Sequence, residues 1–150
     1  MAAQGCGREC LAAEGEHGLG QLAVAKGDNG QAMEHLQRAA RLSPIDEKIR
    51  NDLGVVYLNQ LRLEDARFEF LTAIELKQND QLAPLNLVTL LLYQNNWQQA
   101  AEIVSRAHLT PEQFSEARAR AEKLKVPAKA PTAAGNQVAV VADPQPSTLK

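Results

Sequence analysis

The sequence predicts an all-α protein, an α-solenoid of three helix-turn-helix repeats plus a C-terminal capping helix. Three observations carry that prediction. Residue types recur in register about every 34 positions through the middle of the chain. Within each copy the apolar residues keep helical spacing. The composition, 45% hydrophobic but only 4% aromatic, implies a core of Leu, Val and Ala, and the uneven placement of 7 Pro and 9 Gly favours helices over strands.

The repeat rests on five columns. Ala32, Ala66 and Ala100 form one, and Leu19, Leu53 and Leu87 a second. Gly20, Gly54 and Val88 form a third, Leu36, Phe70 and Val104 a fourth, and Ala39, Ala73 and Ala107 a fifth. The small columns let two helix backbones approach closely, and the large ones fill the space between them. Inside the second copy, Leu53, Val56 and Tyr57 follow the i, i+3, i+4 rule, as do Ala66, Phe70, Ala73 and Ile74. Breaks fall at 27–30, 59–62 and 95–96 within the copies, and at 43–46 and 78–80 between them. Asp46 and Asp80 are suited to cap the helices that follow, and Pro84 falls in a first turn where its missing N–H is harmless. One helix pair cannot bury its own apolar face, so the pairs must stack.

After the third copy, Thr110-Pro111-Glu112-Gln113 reads as a capping box with Pro at the first helical position. Phe114, Ala117, Ala121 and Leu124 then share one face of an amphipathic helix that closes the stack. From Lys125 the chain turns to Pro, Ala, Thr and Val and is expected to be a disordered tail, in which Val138–Ala142 has strand-forming character.

Several function classes are excluded by composition. With 16 Lys plus Arg, 18 Asp plus Glu and a net charge of -2, the 150-residue chain lacks the basic footprint of a nucleic-acid binder. Its longest apolar stretch, Leu87–Tyr93, is far short of the roughly 20 residues of a bilayer span. The start, Met1 to Cys6, has neither the basic nor the apolar region of a secretory signal. His17, His35 and His108 lie in different copies, and no clustered Cys/His spacing exists. Cys6, Cys10 and His17 lack a fourth ligand, so no metal, no cofactor and no enzyme activity are expected. Trp97 reads as packed rather than as a binding hot spot, and Glu64-Asp65 as complementing a helix dipole.

The columns resemble the tetratricopeptide repeat (TPR) family, whose signature places Leu-Gly and then Tyr in the first helix, and Ala, an aromatic, Ala and Pro in and after the second. The second copy matches with Leu53-Gly54, Tyr57, Ala66, Phe70 and Ala73, with Gln78 for the terminal Pro. The first has Leu19-Gly20, Ala32, Leu36, Ala39 and Pro44, and the third is degenerate, with Val88 for Gly and Pro111 one place early. Repeats are therefore placed at about 13–46, 47–80 and 81–114 in a TPR domain of 13–124, with the capping helix at about 111–124. A flexible segment, 1–12, precedes it and the disordered tail, 125–150, follows.

The resemblance implies a protein-binding groove on the concave side, lined by the first helix of each repeat. By position it carries Glu14, His17, Gln21 and Val24, then Lys48, Asn51, Val55, Leu58 and Asn59, then Leu82, Leu85, Thr89, Leu92 and Tyr93. Some TPR adaptors hold C-terminal carboxylates with Lys and Asn there. His17, Gln21, Asp52, Leu82 and Asn86 stand at those positions instead, so that clamp is not reproduced. The segment Leu82–Tyr93 is apolar almost all round; its spare face is covered by the capping helix or by a second copy in a homodimer through the third repeat, or it receives a partner peptide.

Residues 101–109, Ala-Glu-Ile-Val-Ser-Arg-Ala-His-Leu, followed by Thr110-Pro-Glu-Gln-Phe114, resemble the small TadD-like TPR lipoproteins of tight-adherence (Tad/Flp) pilus assembly. That resemblance implies a pilotin-like factor whose groove binds a segment of an outer-membrane secretin subunit, in the bacterial periplasm and anchored to the outer membrane. Gly5-Cys6 is then the remnant of a lipoprotein cleavage site with Cys6 lipidated, the alternative being an unstructured start. The competing expectation is a general cytoplasmic TPR adaptor or co-chaperone-like scaffold.

Overall fold

The computed structural model describes residues 7–126, and all regular elements among them are helices. They are α1 (Arg8–Ala25), α2 (Asn29–Leu42), α3 (Glu47–Asn59), α4 (Leu63–Leu76), α5 (Leu82–Tyr93), α6 (Trp97–Ala107) and α7 (Pro111–Lys125). Helices α1/α2, α3/α4 and α5/α6 pack as antiparallel pairs, α2 leads onto α3, and α4 leads onto α5. The architecture is an α-solenoid. Helix α1 begins five residues before the first repeat's expected start, while Val138–Ala142 and most of the expected tail lie outside the described residues.

Local chemistry explains the boundaries. Asp28, Asp46 and Asn96 each accept a backbone N–H from the first turn of α2, α3 and α6. Asp80 accepts from Leu82 N and Ala83 N at the start of α5. Thr110 and Gln113 form the reciprocal capping box of α7. The turn inside each pair passes through the left-handed region at one repeated position, with φ of 79° at Gly27, 60° at Leu61 and 61° at Asn95. Glycine adopts that conformation freely, and leucine does so only under compulsion.

The repeat columns carry the packing. A Cβ built on Gly20 would sit 2.7 Å from Leu36 Cγ, and one built on Gly54 would sit 2.5 Å from Phe70 Cε1. Both glycines therefore exist to admit the large side chain of the partner helix. In the third repeat the equivalent positions hold Val88 in the glycine column and the smaller Val104 in the column of Leu36 and Phe70. Ala32, Ala66, Ala100, Ala39 and Ala73 are buried. Three column members differ from the rest because they lie near the ends of the stack. Leu19 is 48% exposed, since no helix among the described residues is laid over it, and Val104 and Ala107 are half-buried, since α7 packs chiefly on α5 rather than over α6.

Polar contacts tie the pairs together. Arg50 bonds Glu69 at 3.0 Å across α3 and α4; burial raises the Glu69 carboxyl above its ordinary range, against the pull of the Arg50 charge. In the first pair, hydrogen bonding from His35 and then from Arg38 holds the Glu16 carboxyl below its ordinary range, against desolvation. Tyr57 accepts from Gln37 Nε2 at 2.8 Å and lies under the Arg62 guanidinium. Trp97 is half-exposed, with Arg118 5.7 Å from its ring, rather than packed as its position suggests.

Candidate functional site

The concave side is built from α1, α3, α5 and α7, and a ladder of polar contacts crosses it. His17 Nε2 lies 2.6 Å from Asp52 Oδ2, and Gln21 Nε2 donates to the same oxygen at 3.1 Å, linking α1 to α3. Asn86 Nδ2 donates to Asn51 Oδ1 at 2.9 Å, linking α3 to α5. Arg120 donates to Asn86 Oδ1 at 2.9 Å, linking α5 to α7. Gln113 to Gln81 and Lys125 to Asn95 show that α7 runs in the same direction as α5 along its length. Helix α7 thus stands where the first helix of a fourth repeat would stand, drawn in close against α5.

This arrangement divides the expected groove residues. Val24, Val55 and Tyr93 are half-buried, and Asn59 and Leu82 are exposed. Asn51 is buried and spent on Asn86, and Leu58, Leu85, Thr89 and Leu92 are buried too. Thr89 Oγ1 also donates to Leu85 O within its own helix. Every residue of α5 from Ala83 to Leu92 is buried, enclosed by α3, α4, α6 and α7. The capping helix therefore covers the apolar face of the third repeat. Cys6 lies outside the described residues.

What stays open is the trough between α1 and α3. Gln21, Val24, Asp52 and Val55 line a cavity of about 230 Å³. Beside it Lys48, Leu82 and the His17–Asp52 pair border a second of about 230 Å³. A cleft of about 690 Å³ opens between the loop before α5 and the start of α7, bordered by Leu82, Leu85, Arg106, His108 and Gln113. The trough offers two valines for apolar contact and a fixed polar strip for hydrogen bonding. The pocket beside the His17–Asp52 pair is lined by Gln21, Asn51, Lys48, Lys77 and the carboxylates of Glu47 and Asp80. Among the described residues no group of three His, Cys, Asp or Glu is placed to hold a metal ion. No helix among them is long and apolar enough to cross a membrane.

The polar ladder escapes a search for single motifs. Its signal is spacing, since His17/Asp52 and Asn51/Asn86 are each separated by one repeat stride plus one residue. That offset brings the later residue of one first helix beside the earlier residue of the preceding one.

Comparisons with known proteins agree with this geometry. Residues 23–83 match the family model of the tetratricopeptide repeat. The TPR repeat-containing protein PA4299 of Pseudomonas aeruginosa is 43% identical over 112 residues, covering 75% of this chain and 46% of that protein. The chain thus spans about half the length of that curated relative. In fold it is similar to the TPR2B domain in the pHsp70 complex of yeast Sti1, with a TM-score of 0.67 and 16% identity over 75% of this chain and 98% of that one. The Arabidopsis OM64 TPR domain gives a TM-score of 0.67 and 16% identity over 78% and 97% of the two chains. The first TPR of Spaghetti (RPAP3), bound to the HSP90 peptide SRMEEVD, gives 0.65 and 13% over 77% and 98%. The repeat columns, the paired helices and the matched segment agree: the chain carries tetratricopeptide repeats over residues 23–83 and folds as an α-solenoid.

Proposed function

We propose that the chain is a non-enzymatic protein-interaction module that binds a segment of another protein in the trough between α1 and α3. The observation that carries this reading is the pairing of half-buried Val24 and Val55 with the Asp52 strip on the open part of the concave face. Two of the fold neighbours are recorded with peptide or chaperone partners, which supports the class of ligand. The ligand here is an internal segment rather than a C-terminal carboxylate. The clamp positions hold His17, Gln21, Asp52, Leu82 and Asn86, and the Asp52 charge repels a carboxylate.

Within that class the partner we assign is a segment of an outer-membrane secretin subunit, with this chain acting as a pilotin-like factor of Tad/Flp pilus assembly. Its place is then the periplasm, held at the outer membrane through lipidated Cys6. The resemblance of residues 101–114 to the TadD-like proteins supports this assignment. The competing reading, a cytoplasmic adaptor or co-chaperone-like scaffold, draws on the same fold neighbours but lacks their ligand's matching charges.

Binding of the purified full chain to the secretin subunit, followed by calorimetry, tests both levels. Val24→Glu with Val55→Glu is expected to weaken binding at least about tenfold while the helical circular dichroism is kept. Equal binding by the double variant overturns the trough, and no binding by the folded wild type overturns the secretin. Mass spectrometry of the native N-terminus separates the two locations, because acylated Cys6 is expected only of the envelope protein.

A further inference from the structure

We propose that a second copy of this chain docks the outer stripe of its α4 onto the outer stripe of α1. The α1 stripe is Arg8, Leu11, Gly15, Gly18, Leu22 and Lys26, and it points away from the trough. Leu11 is 66% and Leu22 59% exposed. A Cβ on Gly15 or Gly18 would meet nothing within 4 Å, so the helix backbone lies bare between the leucines.

The repeat explains the character of this stripe. Gly15 and Leu22 stand one and two strides before Ile49 and Ala83, and before Val56 and Leu90, all of them buried. In α3 and α5 that face is covered by the second helix of the preceding pair. Helix α1 carries the same face with nothing laid on it among the described residues, and the shape it accepts is that of a second helix.

Helix α4 is such a helix, and its outer stripe is Glu64, Phe68, Leu71 and Glu75. Phe68 is 61% and Leu71 44% exposed. The fold itself does not ask for apolar residues there: the positions equivalent to Phe68 are Glu34 and Glu102, and those equivalent to Leu71 are Gln37 and Ser105. An aromatic and a leucine in solvent at two positions where the other repeats are polar mark a surface used for contact.

The two stripes match in length and in charge. Leu11 to Leu22 and Glu64 to Glu75 each span about 16 Å of helix. With Phe68 and Leu71 laid over Gly18 and Gly15, antiparallel as α2 lies on α3, Glu64 falls beside Leu22 and Glu75 beside Leu11, one turn inside Lys26 and Arg8 and within reach of those long side chains. Two α1 stripes facing each other would instead bring their basic ends together. Arg8, Lys26, Glu64 and Glu75 are all exposed, and none makes an ion pair among the described residues. The contact uses two different patches, one helix on each side, so the association is weak, with a dissociation constant on the order of 100 μM.

Sedimentation of the full chain from about 10 μM to about 1 mM tests it. The average mass is expected to rise with concentration above the 16.3 kDa of one copy, and to fall back in high salt. Phe68→Glu installs the residue the other repeats carry, and it and Leu22→Glu should each weaken association at least about tenfold. Arg8→Glu with Lys26→Glu weakens it roughly threefold to tenfold, as does Glu64→Lys with Glu75→Lys, and the four changes together restore it. A mass that stays at one copy throughout overturns the proposal. So does wild-type association of the folded Phe68→Glu chain, or a fourfold variant that stays as weak as its parents.

Discussion

The second and third repeats share one architecture and differ in two respects. In the second, α3 keeps an open concave side at Lys48, Asp52, Val55 and Asn59; in the third, α5 is enclosed from Ala83 to Leu92. In the second, Gly54 admits Phe70, whereas in the third the equivalent positions hold Val88 and the smaller Val104. The second difference teaches that a repeat is defined by the volume its two helices share, more than by its signature letters. The first teaches that a groove is defined by what comes after it in the chain.

The largest expected effect tests the volume argument. Gly54→Val alone drives a side chain into Phe70 and is expected to cost roughly 3 kcal/mol of unfolding free energy in urea. Gly54→Val together with Phe70→Val imports the third repeat's pair, and should be more stable than the sum of the two single losses by at least about 1 kcal/mol. A double variant with simply additive losses breaks the comparison.

An intermediate effect is expected at the covered end. Asn86→Leu leaves Asn51 and Arg120 without their buried partner and should cost about 1–3 kcal/mol. Hydrogen exchange in α7 is expected to quicken with it. Asp52→Asn, on the open rung, should cost less than about 1 kcal/mol and leave α7 exchange unchanged. Equal exchange in the two variants would show that the ladder does not hold α7.

The smallest effect concerns the turns. Leu61→Asn gives the second repeat the third repeat's residue at a left-handed position and should stabilise the chain by up to about 1 kcal/mol in thermal unfolding. A loss of stability would mean that Leu61, about half-exposed, owes its place to packing.

Much of this was legible in the residues. The alanine columns place the helix pairs, and Thr110 with Gln113 marks the start of α7. The limits are physical. A repeat column reports neighbour packing, so Leu19 looks like Leu53 and Leu87 although only the latter two have a helix laid over them. The alanines at 117 and 121 announce an apolar face on α7 but not which side of α5 receives it. Hence Leu85, Thr89 and Leu92 read as groove although they lie buried. Leu61 gives no sign of its backbone conformation, which only its alignment with Gly27 and Asn95 reveals.

The position of α7 has a thermodynamic corollary. Tethered to α6 through His108–Thr110, it sits on the third repeat at an effective concentration no free peptide reaches in solution. Any visitor to that site must first evict it, and its apparent affinity drops by the fraction of time the tether stands undocked.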